Sequence, residues 1–303
     1  MEKGQPSGTA IFAALMRAAH LFLDDEPKIL RDNFALPFSN LQNEAELITA
    51  LKAFHTEFGQ KSAPEIAQSL LQSFRGFAVV RQRYVEDELT GAIKRGVSQY
   101  VILGAGLDSF AYRRRDLEDK LRVFEVDHPA TQQWKKARLH ELNISPPRNL
   151  TFVPVDFEKQ TLMDELRAVG YRLEVPVFFS WLGVTHYLTE AVIFQTLHEV
   201  ALAALGSEIV FDYALPELLL GDGERQIWAL GKANTSEPVL TQFDPVSLAE
   251  RLKETGFAGV WDFGPEEANN LYFTGRTDGL SPSVLDGLSA STIKLFHIVK
   301  AQV

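Results

Sequence analysis

The sequence predicts an α/β protein, with a doubly wound, mainly parallel sheet of seven strands behind an all-helical segment. Three observations carry this reading. Up to residue 95, apolar residues recur at three- and four-residue spacing and no strand pattern interrupts them. From residue 98 onward, short apolar runs alternate with helix-length amphipathic segments, the signature of a mainly parallel sheet covered on both faces. The first of these runs, Tyr100-Val-Ile-Leu-Gly-Ala-Gly-Leu-Asp-Ser109, passes straight into a glycine turn, and the next, Arg122-Val-Phe-Glu-Val-Asp127, ends in an acid.

The helical segment reads as Ala10–Leu23, Glu44–Phe58, Pro64–Phe74 and Phe77–Lys94. Pro6-Ser7-Gly8, Asn43 and Ala63-Pro64 serve as turns or helix starts. Ala10–Leu23 is too short and too polar to span a bilayer, because Arg17 and His20 interrupt it. The strand candidates are Tyr100–Leu103, Arg122–Val126, Leu150–Val155, Val175–Ser180, Glu208–Tyr213, Gly259–Phe263 and Leu295–Ala301. Ala130–Leu142 and Glu190–Leu205 are helices between them, and the near-continuous apolar run Val175–Phe179 marks a central, doubly buried strand. Residues 214–243 break the rhythm, with an added helix over Pro216–Ala233 and a polar loop after it. The expected organisation is a helical cap over 1–95 and a sheet domain over 96–303 that carries this insertion.

A chain of 303 residues suffices for one large α/β domain with an added lobe. Its net charge of -10 argues against a nucleic-acid partner, since such binding depends on Lys and Arg neutralising phosphates. Arg113-Arg114-Arg115 reads as a solvated face. With no cysteine, disulfides, thiolate nucleophiles and Cys-based metal sites are excluded, and a cytoplasmic address fits. The seven histidines form no ligand-spaced cluster, so no metal site is expected.

An acid about 20 residues beyond a Gly-x-Gly turn is suited to a nucleoside: the glycines admit close backbone approach and the carboxylate takes ribose hydroxyls. A dinucleotide fingerprint would continue to a third glycine, where this chain has Ser109. No Gly-Lys-Ser/Thr follows the turn, which removes a P-loop. S-adenosylmethionine carries no phosphate and still needs both features. Asp127 closes one strand candidate and Asp156 the next, with Phe157 beside it to face an adenine ring. Either Asp is also a candidate helix N-cap.

With these residues in view, the chain resembles the class I S-adenosylmethionine-dependent methyltransferases, specifically the leucine carboxyl methyltransferase-like group. The matching pieces are Val101–Ser109, Phe124-Glu-Val-Asp-His-Pro129, Pro154-Val-Asp-Phe157, Phe179-Ser-Trp-Leu-Gly-Val-Thr-His-Tyr-Leu-Thr189 and the late Leu248, Leu252, Gly256 and Phe257. Upstream, Arg81-Gln-Arg-Tyr-Val-Glu-Asp87 resembles the family's arginine-bearing helix, and Gly8-Thr-Ala10 its N-terminal extension. The resemblance implies a Rossmann-like methyltransferase domain with S-adenosyl-L-methionine as cofactor. It implies that Arg81 meets the methionine carboxylate, that Gly104, Ala105 and Gly106 line its backbone, that Asp127 binds the ribose, and that Asp156 and Phe157 hold adenine; His128, next to Asp127, is a further cofactor-site candidate and also reads as a turn residue before Pro129. The family often carries a glutamate where this chain has Leu182.

Methyl transfer is an in-line displacement, so the protein mainly positions and desolvates. A carboxylate nucleophile needs no base, whereas a hydroxyl does. His186 is the candidate base, since an unperturbed histidine titrates near neutrality, and Tyr187 the candidate orienter. Arg75 or Arg83 would hold a substrate carboxylate, and Tyr213 would line the pocket. The reading is O- or carboxyl-methylation of a small molecule in preference to a protein C-terminus. An NAD(P)-dependent oxidoreductase and a non-catalytic S-adenosylmethionine-binding sensor are the alternatives.

Overall fold

The computed structural model describes residues 8–59, 64–157, 159–234, 238–278, 280 and 295–303. The expected turn at Pro6-Ser7 and the helix start at Ala63 lie outside them. Four helices come first: α1 (Gly8–Leu23), the single-turn α2 (Ala35–Phe38), α3 (Glu44–Gly59) and α4 (Pro64–Lys94). Asn43 starts α3 as expected. Its Oδ1 accepts the Glu46 N–H at 3.0 Å, while Glu46 reaches back to the Gln42 N–H at 2.8 Å. The two helices expected over 64–74 and 77–94 are a single helix of 31 residues that runs through Gly76. A mid-helix glycine costs ~1 kcal/mol, which does not break a helix that packs along its length.

The sheet comprises β1 (Gln99–Leu103), β2 (Arg122–Asp127), β3 (Leu150–Pro154), β4 (Val177–Trp181), β5 (Glu208–Ala214), β6 (Gly259–Phe263) and β7 (Phe296–Gln302). Every strand candidate corresponds to one of these. β4 starts at Val177 because Pro176 has no N–H to give a ladder. The spatial order is β3-β2-β1-β4-β5-β7-β6. β1 to β5 pair parallel, and β7 runs antiparallel between β5 and β6. Between the strands lie α5 (Phe110–Arg113), α6 (Pro129–Glu141), α7 (Leu162–Ala168), α8 (Glu190–Ala201), α9 (Asp222–Asn234), α10 (Pro245–Thr255) and α11 (Pro265–Ala268). In the insertion, Pro216 begins a 3₁₀ turn over Glu217–Leu219, and the helix proper starts only at Asp222.

Alternate residues along each strand feed two cores, as the pleat requires. Val101, Leu103, Phe179, Trp181 and Phe211 pack with Ile193 and Leu197 of α8 and Leu252 of α10. Tyr100, Ile102, Phe178 and Val210 pack on the other face with Val79, Val80, Val85 and Leu89 of α4. The chain leaves β1 to one side for β2 and β3 and returns to its other side for β4. The gap that opens beyond the strand ends at such a reversal is where open α/β sheets bind ligands.

Candidate active site

One cavity of about 800 Å³ occupies that switch point. Its size falls within the roughly 300–1,000 Å³ usual for small-molecule sites. Register fixes its floor: Leu103 lies opposite Val126 and Trp181, and Asp127 opposite Pro154, so the segments that follow β1 to β4 emerge side by side. Arg81, Gly104, Ala105, Gly106, Asp127, His128, Asp156, Phe157, His186 and Tyr187 all line it. Ten expected site residues, spread over more than 100 positions of sequence, thus face one space.

The turn after β1 requires its glycines. Gly104 has φ +63°, and a Cβ there would run into Val184 Cγ2. Gly106 has φ +49° and lies against Ala10 of α1. Asp127 accepts N–H bonds from Gly106 and from His128, the latter at 2.6 Å. Burial raises its pKa despite these two bonds, which favour the charged form. Neither Asp127 nor Asp156 is a helix N-cap. His128 caps α6 through Nδ1 at 3.2 Å from the Ala130 N–H, and Thr161 precedes α7. Asp156 sits in a turn where its carboxylate meets Lys159 Nζ at 2.5 Å, and the Phe157 ring lies 6.1 Å from Trp181.

Buried charges pin the turn from behind. Arg17 donates to the Leu107 carbonyl at 2.8 Å and to Asp32 at 2.9 Å. Lys135 bridges the Asp108 carbonyl at 2.7 Å and Glu125 at 2.6 Å. Ser109, in the third glycine position, donates to Asp32 at 2.7 Å and accepts from Arg113 at 2.9 Å. A serine therefore stands there to key the turn to the N-terminal helices. Arg113 also pairs with Glu86, so the first of the three consecutive arginines is buried in this network and is not part of a solvated face. Arg114 and Arg115 pair with Asp116 and Glu118 nearer the surface.

Arg81 reaches the cavity from α4. Its partner is Asp212, fully buried on β5, at 2.9 Å. The other oxygen of Asp212 accepts the Gly183 N–H at 2.7 Å, and its carbonyl accepts the Thr185 hydroxyl. One carboxylate thus sets both the arginine and the loop after β4. The signal for it was an acid inside the apolar run Glu208-Ile-Val-Phe-Asp-Tyr213, which demands a buried partner. Leu182, at the family's glutamate position, contributes an apolar side chain to the wall.

Three expected substrate residues do not line the cavity. Arg75 grips Asp24 through two nitrogens, at 2.9 and 2.7 Å, beside His20 on α1. Arg83 points from another side of α4, pairs with Asp87 at 2.9 Å, and borders a groove formed with Tyr272 and Arg276. Tyr213 is buried, and its hydroxyl donates to Asp262 at 2.5 Å. Helical and strand phase, invisible in a list of candidate residues, decides all three. His186 also departs from expectation: burial lowers its pKa to about 4, so it is neutral at physiological pH and does not titrate near neutrality. Sequence reasoning missed Phe12, Phe74, Phe77, Leu240 and Phe296, which complete the wall as ordinary-looking apolar residues.

The strand order, the antiparallel β7 and a glycine-and-acid cavity at the switch point define a class I methyltransferase fold. Two solved structures share it over nearly their whole length. A DUF574 family protein from Streptomyces avermitilis MA-4680 aligns with a TM-score of 0.57 at 13% identity, over 99% of this chain and 98% of that one. A Thermobifida fusca YX protein solved as a methyltransferase aligns with a TM-score of 0.54 at 14% identity, over 99% and 96%. At these identities the likeness concerns the fold. The sequence carries the family: the pattern of the leucine carboxyl methyltransferase family matches residues 10–201. YktD of Bacillus subtilis (strain 168), a protein named for S-adenosyl-L-methionine-dependent methyl transfer, is 34% identical over 99% of this chain and 100% of its own length. The chain belongs to the leucine carboxyl methyltransferase family and is an S-adenosylmethionine-dependent methyltransferase. Among the described residues no helix is long and apolar enough to cross a membrane.

Proposed function

We propose that this cavity binds S-adenosylmethionine at the glycine turn and transfers its methyl group to an oxygen of a small molecule, a hydroxyl or a carboxylate. The observation that carries the reading is the convergence of Asp127, Gly104, Asp156, Phe157 and Arg81 on one cavity. These residue types match the cofactor. Asp127, already oriented by two backbone N–H groups, takes the ribose hydroxyls. Phe157 and Asp156 take the adenine face and its amine, and the Arg81 guanidinium takes the methionine carboxylate. When bound, the cofactor supplies the electrophilic methyl and a neutral thioether leaving group. The chain then needs to align the acceptor oxygen and exclude water.

A small acceptor is supported by the size of the cavity, about 800 Å³, and by its apolar lining from Phe12, Ala13 and Met16 of α1 and Phe74 and Phe77 of α4. The expected experiment incubates the full chain with methyl-labelled cofactor and a panel of small acids, phenols and peptides with free C-termini. Label on small molecules is the predicted result. Label on the peptides alone would reject the reading.

A further inference from the structure

We propose that Lys135 of α6, which does not line the cavity, is a positioning residue for the cofactor. It locks the far end of the glycine turn to the strand that carries Asp127, so that the turn and the ribose carboxylate keep one fixed spacing. This rests on the reading of the cavity as an S-adenosylmethionine site and adds a residue that acts on that site from behind.

The turn is attached to β2 at both ends. At the near end, the Ala105 N–H donates to the Val126 carbonyl at 3.0 Å, and the Gly106 N–H donates to the Asp127 carboxylate. The far end is joined through side chains: Lys135 Nζ donates to the Asp108 carbonyl at 2.7 Å and to Glu125 at 2.6 Å. Glu125 stands two residues before Asp127 on β2, and therefore on the same face of the strand. The links close a ring. It runs along the turn from Gly106 to Asp108, across Lys135 to Glu125, along β2 to Asp127, and back to Gly106.

A lysine is a costly choice for such a place. The buried face of α6 includes Thr131, Gln132, Lys135 and Arg138, and the Lys135 side chain is only 2% exposed. The Phe38 and Tyr112 rings, centred 5.9 and 5.7 Å from Nζ, close in on the ammonium. An apolar pair of similar volume often stabilises a fold as well as a buried ion pair, or better. What an apolar pair cannot do is hold a backbone carbonyl by a charged hydrogen bond.

Nor can it act on Asp127 through space. Burial raises the pKa of Asp127; the Gly106 and His128 N–H bonds and the positive charge of Lys135 pull it back down. An ionised carboxylate has the acceptor capacity for both ribose hydroxyls. Lys135 thus favours both the position and the charge of the group that meets the ribose.

The test is calorimetry of S-adenosylhomocysteine with the full chain, arranged as a double-mutant cycle between Lys135→Met and Asp127→Ala. Lys135→Met should weaken binding at least about tenfold, the scale of a hydrogen bond to a charged group. In the Asp127→Ala background the same change should cost less than about threefold, because the two residues act as a unit. Lys135→Arg, which keeps the charge and the donors, should bind more tightly than Lys135→Met. Lys135→Met combined with Glu125→Gln removes both charges and leaves no buried ion unpaired, so it separates binding from folding. It should melt cooperatively and still bind weakly. Near-wild-type affinity in Lys135→Met or in the folded double variant, equal losses in the two backgrounds, or no recovery by Lys135→Arg would each overturn the proposal. Absence of binding by wild type would overturn the cofactor reading, and this proposal with it. Failure of the proposal alone leaves wild-type binding, and its loss in Asp127→Ala, intact.

Discussion

The glycine-turn side of the cavity is built from backbone and short side chains at the ends of adjacent strands. The aromatic side is built from side chains that start on α1, α4, the loop after β4 and the first residue of β7. On the first side, strand register alone brings Gly104, Asp127 and Asp156 together. On the second, Phe12, Phe77, His186 and Phe296 meet only because helices and loops pack in one particular way. The first arrangement tolerates little change. The second can be varied one side chain at a time, and that is where members of a fold diverge in substrate.

The two sides share one strut, and removing it should have the largest effect. Asp212→Ala leaves the Arg81 guanidinium without its partner and frees the Gly183 N–H. Loss of one partner from a buried pair typically costs about 3–5 kcal/mol. Urea unfolding should show a loss of this order, with cofactor binding weakened as well. A loss below ~1 kcal/mol would mean that the two sides are held independently.

The next effect separates the sides by pH. His186 has a pKa of about 4 in the fold, against about 6.5 for a free histidine. Between those values the unfolded chain binds a proton that the folded chain refuses. Stability from this group is therefore complete above pH ~6.5, falls as pH drops towards 4, and changes no further below that, a loss of about 3 kcal/mol. On the glycine-turn side, burial pushes Glu125 up to about 7 against the pull of Lys135. This has the opposite slope, since the folded chain keeps a proton there that the unfolded chain sheds as pH rises from about 4.5 to 7. Comparing wild type with His186→Phe at each pH cancels the Glu125 contribution. The variant should lose less stability on acidification than wild type, and parallel curves would contradict the burial of His186.

Gly104→Ala should cost roughly 1–3 kcal/mol, because the residue must hold φ +63° and its Cβ meets Val184. Cofactor affinity should fall with it, read by thermal unfolding with and without S-adenosylhomocysteine. The smallest effect belongs outside the cavity. Arg83 and Asp87 are both well exposed, so Arg83→Ala should change stability by no more than about 0.2–1 kcal/mol and leave methyl transfer intact.

The same contrast explains what the sequence revealed. All seven strands, the glycine turn, Asp127 and Asp156 were legible, because a short apolar run and a residue at a strand end are local properties. Arg81 was legible only through the family resemblance, and its partner Asp212 was missed because pairing between a helix and a distant strand is not written along the chain. Ser109 was noticed for the glycine it lacks; its bonds to Asp32 and Arg113 depend on the packing of the first helices. Arg83 was placed on the right helix and Arg75 in a break between two, yet the side each faces follows from which part of α4 lies on the sheet. The depressed pKa of His186 likewise depends on a ring sealed by Phe296, 110 residues later.

The central claim is that the glycine turn and Asp127 hold S-adenosylmethionine. Titration of wild type and Asp127→Ala with S-adenosylhomocysteine and NAD tests it most directly. The account predicts saturable binding of S-adenosylhomocysteine to wild type, no response to NAD, and affinity about 10- to 100-fold weaker in the variant, the ~1.5–3 kcal/mol of hydrogen bonds to a charged group. Tight NAD binding, or S-adenosylhomocysteine binding that is indifferent to Asp127→Ala, would contradict it.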